Sequence, residues 1–287
     1  MSQSIPQGSG DRRRSKRGLL YGIDGCRGGW VIATAPLGLR DVTLDIAPEF
    51  HCILEQVAVD SVLAIDIPIG IPENKPRTCD RDARQLLGWP RSSSVFSPPC
   101  RKALPARTFA EALQLNRSSM GIGISKQAFH IMRKIREVDE VMTVQKQQYV
   151  REVHPEVTFA QLNGGPLMHR KKDARGRAER IDLLGCAGLN ISESWLHRER
   201  ASLGARWVLL DDVIDALACL VTASDIRNGG SRCLGGVGET DAKGLVMEIV
   251  CGEIRDSETL KLNESCISNP KSDISNRTGR TVGSCSI

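Results

Sequence analysis

Leu19-Leu20-Tyr21-Gly22-Ile23-Asp24-Gly25-Cys26-Arg27-Gly28-Gly29-Trp30-Val31-Ile32-Ala33-Thr34-Ala35 sets the fold class. Two apolar, β-prone runs flank a Gly-rich turn, which predicts a hairpin of largely buried strands. Downstream, Val42, Leu44 and Ile46 alternate with Thr43 and Asp45, so a third strand is expected over 42–47, followed by a short helix over 50–58. Ser61-Val62-Leu63-Ala64-Ile65-Asp66-Ile67-Pro68-Ile69-Gly70 is apolar on both faces until Asp66 and is closed by Pro and Gly. That pattern belongs to a strand covered on both sides, and strands mixed with helices make an α/β protein.

Beyond residue 70 the chain changes character. Asp80–Leu87 reads as a helix, Ser92–Pro99 as a loop, and Thr108-Phe-Ala-Glu111 as a capping box opening another helix. Ser125 caps a long helix whose stripe of Phe129, Met132, Ile135, Val138 and Met142 is expected in the core. Tyr149–Phe159 has strand spacing, with Pro155 placing it at an edge or a strand end. A basic helix over Arg170–Leu184 ended by Gly185, another over 192–203, and an apolar helix over Val213–Ser224 complete the expected order. Residues 1–17 and 252–287 read as disordered tails around a body at 18–251.

Composition narrows the class. At 287 residues, 40% hydrophobic and 25% charged, the chain is neither fibrous nor wholly disordered. The longest apolar runs reach about half of the roughly 20 residues that a membrane span requires, and no signal-like segment opens the sequence. The expectation is a soluble, cytoplasmic protein with no membrane partner. Ten cysteines lie scattered with no C-x-x-C pair, which removes zinc-ribbon and thioredoxin readings, and Cys219 falls in an apolar helical pattern expected in the core. The net charge of +5 owes most to Arg12, Arg13, Arg14, Lys16 and Arg17, opposed there by Asp11. This tail reads as a solvated extension, with phosphate contact or a nuclear address as the sharper alternatives. Oligomeric state is not readable.

Acids at the ends of apolar elements carry the chemistry. Asp24 follows the first strand, where it reads equally as a turn residue before Gly25. Glu152, His154 and Glu156 share one face if their segment is extended. Asp212 and Asp215 lie on one side of a helix, and one of Asp211 and Asp212 is expected to cap it. Asp66 is the most telling. An acid inside Ala-Ile-Asp-Ile-Pro-Ile has no evident route to water, and an unpaired buried carboxylate needs a cation or a proton. If Asp24, Asp66 and Asp215 meet, each pair about 4 Å apart repels by roughly 4 kcal/mol at an effective dielectric of about 20. An all-carboxylate set of that kind suits Mg²⁺ or Mn²⁺ better than zinc, and two ions about 3.5–4 Å apart would cut a phosphodiester.

Gly22-Ile-Asp-Gly-Cys-Arg-Gly-Gly-Trp30, Ala64-Ile-Asp-Ile-Pro-Ile-Gly70, Arg77-x-Cys-Asp80-x-x-Ala-Arg84, Glu152-Val-His-Pro-Glu156 and Asp211-Asp-Val-Ile-Asp-Ala-Leu217 occur in that order. From about Tyr21 to Val250 the chain resembles domain-of-unknown-function family 429, the predicted RNase H-like nucleases. The resemblance implies a mixed five-stranded sheet, three antiparallel strands and then two parallel to the first, with helices on both faces and insertions at about 71–148 and 160–205. It implies catalysis and metal binding by Asp24, Asp66, Glu156 and Asp215, with Asp212 as a further ligand and Glu152 and His154 in support. Glu55 is the nominal match for a glutamate on the first helix.

Two basic blocks would hold the substrate: eight Lys/Arg against Asp80 and Asp82 over 75–107, and Arg170, Lys171, Lys172, Arg175, Arg177 and Arg180. Arg27, Arg77, Arg84, Lys171, Lys172 and Arg180 are the expected contacts, weighed against an ordinary solvated helix face. The expected function is hydrolysis of DNA or RNA by a two-metal mechanism. The alternatives are a non-catalytic nucleic-acid-binding or interaction protein on the same scaffold, and a nucleotide-dependent phosphotransferase. Sparse aromatics, at 4%, argue against extensive base stacking.

Overall fold

A computed structural model describes residues 18–57 and 60–254. The chain runs β1 (Leu20–Cys26), β2 (Gly29–Ala35), β3 (Thr43–Ala47), α1 (Phe50–Leu54), β4 (Val62–Ile65), α2 (Thr78–Leu87), α3 (Phe109–Met120) and α4 (Lys126–Val141). It continues with α5 (Val144–Gln147), β5 (Val150–Glu152), α6 (Pro155–Leu162), α7 (Ala174–Cys186), α8 (Glu193–Ser202), α9 (Leu210–Asn228), β6 (Ser231–Leu234) and β7 (Ile249–Gly252). The main sheet has the order β3-β2-β1-β4-β5. The β1–β2 and β2–β3 pairs are antiparallel, while β1–β4 and β4–β5 are parallel. This is a mixed α/β fold, with the strand arrangement the motifs imply.

Parity along β1 builds two cores. Leu20, Cys26, Val31, Ala33, Val62 and Ala64 face α9 on one side of the sheet. Tyr21, Ile23, Trp30, Ile32, Leu63 and Ile65 face the other, against Phe50 and Ile53 of α1 and Ile135 and Val138 of α4. Helix α9 is buried all round from Val213 to Ser224, with Cys219 inside it, which explains an apolar pattern without a polar stripe. Gly22 makes this packing possible. A Cβ there would stand 2.1 Å from the Ala216 carbonyl oxygen, so only glycine lets α9 lie this close to β1.

Several expectations require correction. The strand over 61–70 ends at Ile65. Asp66 still donates its N–H to the Ile23 carbonyl at 3.0 Å, but Pro68 has no N–H to extend a ladder. Ile67, Ile69 and Ile71 remain buried all the same, as a loop that fills the second core. The extended reading of 149–159 fails after Glu152. Pro155 is the first residue of α6, where its missing N–H costs nothing. The first helix stops at Leu54, and the last residue expected of it, Ala58, lies outside the described residues. Helix α7 starts later than expected and runs through Gly185 to Cys186. The hairpin β6–β7 carries no sequence signal strong enough to predict it, and Gly252 closes β7 rather than opening a tail. The remaining tail segments, 1–17 and 255–287, lie outside the described residues.

Candidate active site

Ile23 stands opposite Ile65 in the parallel β1–β4 pair, so Asp24 and Asp66 are the next residue of each chain segment. Both continue the parity of Gly22 and Ala64, which points them to the side covered by α9. Asp215 precedes Ala216, the residue that Gly22 admits against β1. Local packing thus brings three acids from three elements together. Asp24 and Asp215 are 9% and 6% exposed.

Their electrostatics register that proximity. Burial raises Asp24 well above an ordinary carboxyl, and Asp66, Asp215 and Asp212 raise it further while Lys171 opposes them. Asp66 is pushed up to about 8, by burial first, then by Asp215 and Glu156, against the pull of Lys171. Asp215 is raised by burial even though Lys171 Nζ sits 2.8 Å from its Oδ2. Burial by itself lowers the Lys171 ammonium, but the Asp215 charge overrides that and holds it above the usual lysine value. Asp24 accepts one hydrogen bond, from the Gly25 N–H at 2.7 Å, and no donor among the described residues reaches the Asp66 carboxylate. The cluster has more acids than its one lysine can balance, so burial and mutual repulsion favour protonated carboxyls in place of missing cations.

Asp66 and Asp215 open onto a cleft of about 870 Å³, with Asp24 behind them and outside its lining. Asp66, Glu156 and Asp215 share its wall with His154, and Arg91, Arg170, Lys171 and Lys172 supply positive charge. Gly176 lets the basic loop lie against α7, because a Cβ there would stand 2.0 Å from the Arg170 carbonyl oxygen. Glu156 is held by Arg180 Nη2 at 2.6 Å. His154 has its Nε2 3.4 Å from the Ser94 carbonyl oxygen, its buried Nδ1 has no hydrogen-bond partner among the described residues, and burial lowers its pKa. The ring is therefore neutral near pH 7. Asp212 accepts the Leu209 N–H at 2.8 Å and so serves the start of α9 from the third helical position, with its pKa raised by burial to about 6.

Other expected residues lie elsewhere. Glu152 does not join the acids. It ends β5 on the far side of the β4 exit, where it accepts from Ile69 N–H and from both terminal nitrogens of Arg77. Arg77 is 1% exposed and locked to Asp80 and Glu152, so it cannot meet a substrate. Arg180, fully buried over the Phe159 ring, orients Glu156 instead of contacting a ligand. Arg84 ties the 92–99 loop through the Val95 carbonyl and the Ser97 hydroxyl. Arg27 is exposed at the β1–β2 turn, outside the cleft lining. Glu55 is exposed just past α1, on the sheet face away from Asp24. Conversely, Arg91 and Arg170 line the cleft but were not separable in sequence from their basic neighbours.

The donor chemistry fits a hard dication, since Asp24, Asp66 and Asp215 offer only carboxylate oxygen and are short of positive charge. Their spacing does not yet gather one: among the described residues, no three His, Cys, Asp or Glu side chains stand as a metal would require. Among the described residues, no helix is long and apolar enough to cross a membrane.

The protein is thus a mixed five-stranded α/β fold with an acid cluster at the exits of two parallel strands. Within it, the chain belongs to the family described as Protein of unknown function (DUF429), which matches residues 22–240 and so spans Asp24, Asp66, Glu156 and Asp215. No curated protein and no solved structure matches the chain.

Proposed function

We propose that this protein is a divalent-cation-dependent hydrolase that cuts phosphodiester bonds of DNA or RNA on an RNase H-like scaffold. The observation that carries the reading is the convergence of Asp24, Asp66 and Asp215 beside Glu156, at a cleft lined by Arg91, Arg170, Lys171 and Lys172. The order β3-β2-β1-β4-β5, with β1 central and parallel to β4, supports the scaffold.

Asp24, Asp66 and Asp215 would hold Mg²⁺ or Mn²⁺, with Glu156 as a further oxygen donor and Asp212 close by. Such an ion supplies Lewis-acid polarisation of the phosphate and a water of lowered pKa. The chain's own residues do the rest. Arg91, Arg170 and Lys172 place the phosphate backbone. Lys171 opposes the burial that raises Asp215 and sets positive charge where a phosphate would approach the acids. Arg180 fixes Glu156, and His154 Nδ1 can accept a proton.

A second reading, a non-catalytic nucleic-acid-binding protein, is favoured by one observation: Lys171 already neutralises Asp215, and the acids are not drawn to ligand distance. A cleavage screen over structured and unstructured DNA and RNA, with Mg²⁺ or Mn²⁺, separates the two. The hydrolase reading expects metal-dependent cutting that Asp66→Asn abolishes with the circular dichroism unchanged. Cutting retained in Asp66→Asn, or salt-sensitive binding with no cutting at all, overturns it.

A further inference from the structure

The rim of the cleft carries a ring that the acid cluster does not use. Trp89, just past α2, is 92% exposed, and Met168 is 86% exposed. A side chain with so large an apolar face is rarely left this open to water. By contrast, Trp30 is fully buried.

The two exposed residues sit on loops that are clipped together. Arg91 donates from Nε to the Leu167 carbonyl and from Nη2 to the Met168 carbonyl, each at 2.8 Å. Pro90 and Arg91 line the cleft on the Trp89 side, and Arg170, Lys171 and Lys172 line it just beyond Met168. One rim therefore joins an open aromatic face to a run of cations that leads to the acids. Cations that follow phosphates, next to a ring on which a base can lie, are what an unpaired strand needs. A duplex keeps its bases stacked on one another and would leave the ring facing solvent.

We propose that Trp89, flanked by Met168, is a stacking platform for an unpaired base, and that the cleft therefore takes single-stranded nucleic acid or an unpaired stretch of it. Arg91 is the positioning residue that joins the platform to the phosphate track. This rests on the reading of the cleft as a phosphodiester site. The low aromatic content does not oppose it, because one ring serves one base.

Fluorescence anisotropy on the full chain tests it, with EDTA present to hold off cutting. The probes are oligothymidylate, oligouridylate, an abasic oligomer of the same length, and a blunt duplex. Wild type is expected to bind at least one of the two base-bearing single strands roughly tenfold more tightly than the abasic oligomer or the duplex. W89A should erase that preference without changing abasic binding or Tm, since the ring faces water, and W89F should restore most of it. Equal binding of all probes by wild type, a preference for duplex, or W89A indistinguishable from wild type overturns the platform while leaving the phosphodiester reading standing. If no probe binds wild type, the nucleic-acid reading itself falls and takes the platform with it.

Discussion

Two charged clusters flank the exit of β4, and they are built to opposite ends. On one side, Arg77 reaches Asp80 at 2.5 Å and Glu152 at 2.7 Å, and all three are buried. On the other, Asp24, Asp66 and Asp215 converge with Glu156 beside them, and the cleft admits solvent to Asp66, Glu156 and Asp215. In the first cluster each acid meets one guanidinium in fixed geometry, and the Ile69 carbonyl and N–H are bound as well. In the second, Asp66 has no donor among the described residues, and one lysine answers for several carboxylates. The closed cluster pins the Ile67–Ile71 loop to the sheet. The open one is left short of charge, which a folded protein tolerates where a ligand supplies it.

Removing the cation from the closed cluster should have the largest effect on stability. Arg77→Met leaves Asp80 and Glu152 buried without their partner, so chemical denaturation should show a loss of about 3–5 kcal/mol. A loss under about 1 kcal/mol would mean that the two clusters do not differ as described.

Gly22→Ala comes next. Its new Cβ meets the Ala216 carbonyl oxygen, so α9 must move away, at a cost of about 1–3 kcal/mol. Because Asp215 moves with α9, any cation-dependent cutting should fall further than the stability loss accounts for. Activity retained in a folded Gly22→Ala protein would separate Asp215 from the site.

The open cluster should respond oppositely to neutralisation. Asp66 has a folded pKa of about 8, above the unfolded value of about 3.9, so the native state binds the extra proton. The Asp66 contribution to stability should therefore decline as pH rises from about 4 to about 8 and level off beyond, with the raised Asp24, Asp215 and Asp212 adding declines of the same sign. Burial raises Glu152 to about 7, which adds a decline of the same sign, so the test is the difference between proteins. Asp66→Asn should be as stable as wild type or more so near pH 8, with a shallower fall in Tm on the way there. A steeper fall in the variant would contradict the raised pKa.

The smallest effect is expected from Lys171→Met. With the ammonium gone, Asp215 and Asp66 hold their protons more tightly. The pH at which Mn²⁺ begins to raise Tm should then shift upward, readable by thermal scans across pH. An unchanged onset would place Lys171 outside the cluster's charge balance.

Much of the frame was legible because its signals are local. The β1–β2 hairpin, the alternation of β3, the Ser125 cap and the α4 stripe each follow from neighbours within a turn or a pleat. Asp66 announced itself as an acid among isoleucines. Glu152 and Glu156 share a face only on extended backbone, and the helix that starts at Pro155 breaks it, a local switch that period-two spacing does not register. Arg77 and Arg180 looked like substrate contacts because charge is visible in sequence and burial is not. Their partners, Glu152 and Glu156, lie 75 and 24 residues away. The hairpin β6–β7 is short and half polar, and it is held by contacts that sequence spacing does not reveal.

The most direct measurement is a Mn²⁺ titration followed by electron paramagnetic resonance near pH 8, comparing wild type with Asp66→Asn under identical salt. Wild type should remove Mn²⁺ from the free-ion signal saturably, and Asp66→Asn should not. A wild-type protein that leaves the free-ion signal untouched, or a variant that binds Mn²⁺ equally well, would contradict a dication site made by Asp24, Asp66 and Asp215.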